Sequence, residues 1–389
     1  MTSSKSKKIC IITGSRAEYG LLKNLILRLK KNRKFNTKLI VTGTHLSEKY
    51  GFTLSEIKKE NFTIEKKVNL NLKKDSSIGI ANSISQGLNK FVKIFEKLNP
   101  DLILVLGDRF EIYTSAIAAL LCRIPICHVH GGEITEAMLD DVFRHSITKM
   151  SHIHFVANQV YRKRVIQLGE NPKNVYNVGG LGVDTIKKQK LFNKSELEKH
   201  LNLNIQKKSI LVTFHPETLN KKSTKKNFNE LLKALKKIKN TTIIFTMPNH
   251  DIESSIIYSL TLKFVKKKKD SFFFKSLGQK AYYSCCKYMS CMVGNSSSGL
   301  LEMPTFKKFT VNIGNRQKGR IKAKSVLNCK FDSREIYKKI NFALNKKNQF
   351  RIKNVKNPYG TGGATDKILS ILKKVNLKGI INKKFYDLI

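Results

Sequence analysis

Short, wholly apolar runs alternate with helix-period segments along this chain, and that alternation admits few folds. A run such as Leu102–Leu106 has no polar face, so both of its sides must be buried. Parallel strands covered by helices on both faces meet that demand. In the first half the candidate strands are Ile9–Thr13, Lys38–Thr42, Leu102–Leu106, Ile126–Val129, Ile153–Val156 and Val175–Val178. Between them, Tyr19–Lys30 and Ile78–Leu98 carry the helical period, with Ile84, Leu88, Phe91, Phe95 and Leu98 on one face.

The alternation weakens at Gly179–Gly182 and through the lysine-rich stretch Lys187–Lys208, which reads as a passage between domains with a short helix near Ser195–Leu201. It then restarts. Ile210–Phe214, Thr242–Thr246, Phe272–Phe274, Cys291–Val293 and Phe309–Ile313 read as strands, with helices near Phe228–Ile238, Glu253–Val265 and Gln279–Tyr288. Asp332 and Glu335 form a helix-start capping pair before Ile336–Leu344. At 389 residues two domains are the natural expectation. Ligands of such sheets bind outside the carboxyl ends of the strands, so the residues just after strands matter most.

The formal charge of +46 invites a nucleic-acid reading. Only twelve of the 74 basic residues are arginine, however, and the lysines are spread over nearly every expected helix. A lysine-biased solvated surface explains that better than a binding face, while still drawing anions such as a diphosphate inward. No apolar stretch reaches the length of a membrane span, and Ile9–Ile12 is too short for a signal-peptide core. The seven cysteines form no CxxC pair and no zinc spacing. A cytoplasmic protein without a metal is the expectation.

Three segments of the first half end strands with polar residues. Gly14-Ser15-Arg16 is either an anion site at a helix start or a structural strand–helix turn. At Gly107-Asp108-Arg109, the carboxylate and guanidinium either act as base and phosphate clamp, or cap the next helix and pair with each other. The third segment holds His128, His130, Gly131, Gly132 and Glu133, followed by Asp140, Asp141, Arg144 and His145. There Asp140/Arg144 and Asp141/His145 are both spaced i,i+4, as on a surface ion-pair helix. Carboxylates brought close together also tend to part in pKa, which suits acid–base work.

In the second half His215 ends a strand, and Asn249 follows another in Pro248-Asn249-His250-Asp251. Gly294-Asn295-Ser296-Ser297-Ser298-Gly299 leads into a helix carrying Glu302. Small residues and hydroxyls there can cradle a diphosphate, with Glu302 on ribose hydroxyls.

Together these segments resemble the UDP-N-acetylglucosamine 2-epimerase family, and most closely its hydrolysing branch in sialic- and legionaminic-acid pathways. The matching pieces are TGSRAEYGLL, LGDRFE, HVHGGEITE with DD and RHSITKMSH, FHPET, PNHD, GNSSSGLLEMPTF, VNIGNRQKGRIKAKSV and NPYGTGGATDKI, in family order. The resemblance implies an α/β fold of two Rossmann-like domains facing a cleft, GT-B-like. The first (1–182) would carry the acid/base residues and the second (183–360) the nucleotide, with a helical tail (361–389) packing back on the first. It also implies a reaction: proton removal at C2, loss of UDP to leave a 2-acetamidoglucal, then addition of water at C1 and a proton at C2.

On this resemblance Asp108, Glu133, Asp140 and Asp141 are the acid/base candidates, and His215 contacts phosphate or aids the leaving group. Arg16, Arg109, Asn249, Ser296, Ser297, Ser298, Glu302 and Arg316 match nucleotide-binding positions. No metal or redox cofactor is implied. The expected partners are a nucleotide-sugar substrate and further copies of the chain, as a dimer or tetramer, with no specific nucleic acid and no membrane insertion. Relatives can carry a catalytic glutamate where this chain has His130, so either Glu133 takes over that role or His130 acts as base. A GT-B glycosyltransferase and a basic nucleic-acid-binding protein are the rival readings.

Overall fold

Every strand pairing among the described residues of the computed structural model is parallel. The structure describes residues 6–48, 53–60, 62–72, 76–136, 138–217, 223–248 and 253–388. The chain divides into two compact units: Met1–Glu133 with Asp140–Thr185 and Gly362–Ile389, and Ile134–Leu139 with Ile186–Thr361.

The first unit holds β1 (Lys7–Thr13), β2 (Phe35–Thr42), β3 (Ile64–Val68), β4 (Leu102–Leu106), β5 (Ile126–Val129), β6 (Ile153–Val156) and β7 (Val175–Asn177). Their spatial order is β3-β2-β1-β4-β5-β6-β7. The second unit holds β8 (Ser209–Thr213), β9 (Thr242–Thr246), β10 (Ser271–Phe274), β11 (Cys291–Gly294), β12 (Phe309–Ile313) and β13 (Val326–Cys329), ordered β10-β9-β8-β11-β12-β13. Each order reverses once, between β1 and β4 and between β8 and β11. These are the switch points at which doubly wound sheets bind ligands. The chain leaves them at Gly14, Gly107, Phe214 and Asn295.

Alternation along the strands builds a core on each sheet face. Ile9, Ile11, Leu102 and Leu104 face one way, against the helices Arg16–Lys30 and Ala364–Lys374. Cys10, Ile12, Ile103 and Val105 face the other, against Ser77–Leu98 and Phe110–Leu121. Phe91 and Phe95 are fully buried there, each worth about 2 kcal/mol. In the second unit Ile210 and Val212 join one core and Leu211 the other.

The structure departs from the sequence reading in local ways. β3 and β13 lie at sheet edges, and their half-exposed residues blur the apolar signal. The Gly179–Gly182 stretch, read as part of a link, opens a helix over Leu181–Lys188, because Leu181, Val183 and Ile186 are buried. The next helix, Lys194–Leu201, starts with a reciprocal capping box between Asn193 and Glu196. Asp332 does cap its helix, accepting the N–H groups of Arg334 and Glu335, but the Glu335 carboxylate turns to the Lys330 N–H.

Candidate active site

Arg144 organises the first unit's polar centre. It lies on the helix Asp140–Met150 and is 1% exposed. A guanidinium this deep needs acceptors, since burying a lone charge costs several kcal/mol. Its nitrogens donate to the Asp108 carboxylate after β4, to Asp141 Oδ1 at 2.9 Å, and to the Glu133 carbonyl at 3.0 Å. One side chain thus ties the Gly107-Asp108-Arg109 segment to the segment running from His128 to His145, which the sequence offered separately. The spacing had suggested Asp140 as the partner of Arg144, whereas the contact to Asp141 is i,i+3. His145 Nε2 lies 3.6 Å from Asp141, at the expected i,i+4 spacing. Asp140 opens the same helix.

His128, inside β5, fixes the turn that carries Asp108. Its Nε2–H donates to the Gly107 carbonyl at 2.8 Å, and Nδ1 sits 3.1 Å from Thr148 Oγ1. Complete burial pushes its pKa down to about 3, so the ring is neutral. A Cβ on Gly131 would lie 3.0 Å from His128 Nδ1 and 2.9 Å from the Thr148 hydroxyl, which is why a glycine follows β5 here.

His130 and Glu133, offered by the sequence as alternatives, lie side by side. His130 has left-handed backbone (φ 67°) and is buried beside Glu133, itself 1% exposed. His130 Nε2 accepts the Leu181 N–H at 3.4 Å, so in the neutral ring the proton sits on Nδ1, 3.4 Å from Glu133 Oε1.

Arg16 opens the helix after β1, behind the N-cap Ser15. Arg109 turns to Glu111, donating from Nε to Oε1 at 3.0 Å, while Asp108 goes to Arg144. The chain leaving β1 and the chain leaving β4 also meet through Glu18 and Glu111, two buried residues that sequence reasoning gave no role.

In the second unit the switch point is closed by Asn295. Its side-chain amide accepts the His215 N–H at 2.7 Å and donates to the His215 carbonyl at 2.8 Å. The Asn295 carbonyl in turn accepts from Arg316 at 3.3 Å and from Gln317 Nε2 at 2.9 Å. Glu217 Oε1 accepts the N–H groups of Asn315 and Arg316 at 2.7 and 2.9 Å, and so fixes the turn bearing Arg316. The helix expected to carry Glu302 is a single turn, Ser298–Leu301, with Glu302 as its C-cap. Ser296 and Ser297 precede it on the loop. The Ser298 hydroxyl donates to one Glu302 oxygen and Tyr283 Oη to the other at 3.2 Å, while Tyr282 Oη donates to Ser298 at 2.7 Å. Asn249 lies outside the described residues.

Sequence reasoning assigned no role to His128, Glu217, Asn295, Tyr282 or Tyr283. Each acts through a contact distant in sequence, and the available signal was only that the first three lie within strand-end motifs.

A family model described as UDP-N-acetylglucosamine 2-epimerase matches residues 27–373. Over 385 residues the chain is 41% identical to a Campylobacter jejuni protein named GDP/UDP-N,N'-diacetylbacillosamine 2-epimerase (hydrolyzing), covering 98% of this chain and 99% of the relative. It is 40% identical to polysialic acid biosynthesis protein P7 of Escherichia coli, covering 98% of each. The solved structure of UDP-GlcNAc 2-epimerase from Neisseria meningitidis bound to UDP-GlcNAc superposes with a TM-score of 0.81, covering 95% of this chain and 100% of that one at 17% identity. That likeness speaks for the fold, two Rossmann-like α/β domains of GT-B-like type. The motifs at both switch points, the family match along most of the length and the near-complete alignments agree: the chain belongs to the UDP-N-acetylglucosamine 2-epimerase family.

Proposed function

We propose that this protein is a hydrolysing 2-epimerase that converts a UDP- or GDP-linked 2-acetamido sugar into the free manno-configured sugar plus nucleotide. The substrate is UDP-N-acetylglucosamine or a 2,4-diacetamido-trideoxyglucose nucleotide, and the product would feed sialic- or legionaminic-acid synthesis. The observation that carries this reading is the buried Arg144, which gathers Asp108, Asp141 and the Glu133 backbone around the end of β4. Epimerisation through elimination needs one group to take the C2 proton and another to return one to the opposite face, and several rigidly held carboxylates suit that work.

In this mechanism Asp108 removes the C2 proton while the C1–O bond breaks and the nucleotide leaves. The resulting glucal takes the oxygen of water at C1. C2 receives a proton from the opposite side, from the His130–Glu133 pair or from Asp140 or Asp141. His130 Nδ1 lies 3.4 Å from Glu133 Oε1, and that closeness supports a joint role for the two. His215 contacts the leaving phosphate or aids its departure. Arg16, Arg109, Arg316, the loop Ser296–Ser298 and Asn249 hold the diphosphate and base, and Glu302 the ribose. Arg and backbone N–H groups suit the spread charge of a diphosphate. The Campylobacter jejuni relative's name supports the hydrolytic outcome.

The test is incubation with UDP-N-acetylglucosamine and with UDP- and GDP-2,4-diacetamido-trideoxyglucose, scoring free sugar against nucleotide-linked sugar. Free manno sugar with equimolar nucleotide is the expected result. Transfer to an added acceptor, with C2 untouched, would mark a glycosyltransferase.

A further inference from the structure

At the first unit's switch point two glutamates are pressed against the same glycine. The Gly14 N–H donates to Glu18 Oε2 at 2.7 Å. A Cβ on Gly14 would lie 2.5 Å from Glu111 Cγ and 3.3 Å from Glu111 Oε1. Gly43 closes the other side, where a Cβ would lie 3.0 Å from Glu111 Oε1, and its φ of +60° itself favours glycine. Glu18 is 5% exposed and Glu111 is 0% exposed.

Each carboxyl group has one satisfied oxygen and one orphan. Glu18 Oε2 holds Gly14, and Glu111 Oε1 holds Arg109 Nε at 3.0 Å. Glu18 Oε1 and Glu111 Oε2 are buried without a hydrogen-bond partner among the described residues. Two buried orphan acceptors are costly, and two full negative charges around one glycine in so dry a place would be costlier. A single proton removes one of the two charges and turns one orphan acceptor into a donor.

We propose that Glu18 and Glu111 act as one carboxyl pair holding a single shared proton, and that the pair positions Arg109 and the Gly14–Arg16 turn for the nucleotide. The proton resides on Glu18, whose Oε2 accepts the neutral Gly14 N–H, whereas Glu111 Oε1 accepts from the Arg109 guanidinium. Burial first and the Glu111 charge second push the Glu18 pKa up to about 8, against the Gly14 hydrogen bond and Arg109, with Asp108 adding a further upward push. Arg16 and Tyr19 lie on the same helix as Glu18, and His45, edge-on to the Tyr19 ring, comes from the Gly43–Leu46 turn. His45 is bonded to Thr13 and Thr53, and burial pushes it down to about 4, so it is neutral. Both glutamates are positioning residues, acting through Arg109 and the turn. This rests on the reading of those two elements as nucleotide contacts.

Two measurements on the full chain test it. The first needs no substrate: infrared difference spectra of wild type against Glu18→Gln at pH 7, each checked for fold by circular dichroism. A protonated-carboxyl band present in wild type and missing from the variant is expected. Its absence from wild type overturns the shared proton whatever the enzyme acts on.

The second is KM against pH with the nucleotide sugar. Wild-type KM should rise about tenfold between pH 7 and pH 9 as Glu18 ionises, with kcat steady. Glu18→Gln mimics the protonated acid, so its KM should stay within about twofold of the wild-type pH 7 value across that range. Glu111→Gln, which gives Arg109 a neutral amide acceptor in place of a carboxylate, should raise KM at every pH. Parallel KM profiles for wild type and Glu18→Gln would overturn the positioning role. Loss of turnover with every substrate alongside an intact infrared band would instead point to an error in the assigned reaction.

Discussion

Asn295 holds His215 by both of its backbone polar groups, accepting the N–H at 2.7 Å and donating to the carbonyl at 2.8 Å. A side-chain amide has one acceptor and one donor end, so no other buried side chain of this size satisfies both groups at once. The pairing fixes the end of β8 to the end of β11 at the second unit's switch point.

Asn295→Ala should therefore remove both of these hydrogen bonds from the buried His215 backbone, costing about 1–3 kcal/mol for each. Denaturant unfolding reads this directly. UDP affinity by calorimetry should fall with it, because Arg316 and Gln317 also lean on the Asn295 backbone. Wild-type stability in the variant would remove Asn295 as the clasp.

Asp108→Asn should lower turnover by roughly a hundredfold or more while leaving UDP binding near normal, as for loss of a general base. Arg144→Ala should be worse on both stability and rate. It removes the cation shared by Asp108 and Asp141, and breaking a buried pair in this way costs about 3–5 kcal/mol. Unchanged turnover in a folded Asp108→Asn protein would remove Asp108 from the mechanism.

Arg316→Ala should weaken binding of UDP alone, since its guanidinium is held at the second switch point by Asn295 and its backbone by Glu217. Calorimetry giving wild-type UDP affinity would refute the assignment. Glu217→Gln, which keeps an acceptor for the two N–H groups, should lose less affinity than Glu217→Ala.

Acid should destabilise the fold in two stages. Burial pushes His45 and His152 down to about 4 and His128 to about 3, below the ordinary 6.5. Groups with depressed folded values stabilise fully above 6.5 and lose that contribution as pH falls toward 4, so Tm should drop between pH 6.5 and 4. Glu170 follows at lower pH. Burial would raise it, but hydrogen bonds from His154 and Lys383, aided by their charges, hold it at about 2. Its contribution is present above 4.5 and is lost as pH falls through 2. Glu170→Gln should be destabilised at pH 7 and converge on wild type near pH 2. A constant gap between the two proteins would contradict the linkage.

The fold class was legible because central parallel strands have no polar face. The Leu102–Leu106 run is buried at all five positions, and its neighbours read almost as plainly. Edge strands hid because solvent reaches them: Ile64–Val68 carries Glu65, Lys66 and Lys67, which resemble loop residues. Strand-end motifs located candidate residues, but not the contacts among them. Arg144 read as the i,i+4 partner of Asp140 within a candidate site, since spacing reports neighbours on one helix and says nothing of Asp108, 36 positions earlier. Glu18 and Glu111 sat inside quoted motifs without a role, because their meeting depends on strand order and on the smallness of Gly14 and Gly43.

The central claim is that water, and no other acceptor, completes the reaction at C1. Turnover in oxygen-18 water tests it most directly. The label should enter C1 of the released mannosamine derivative, free nucleotide should accumulate in equal amount, and in deuterated water one deuterium should appear at C2. A stable nucleotide-linked epimer carrying no oxygen-18 would contradict the account.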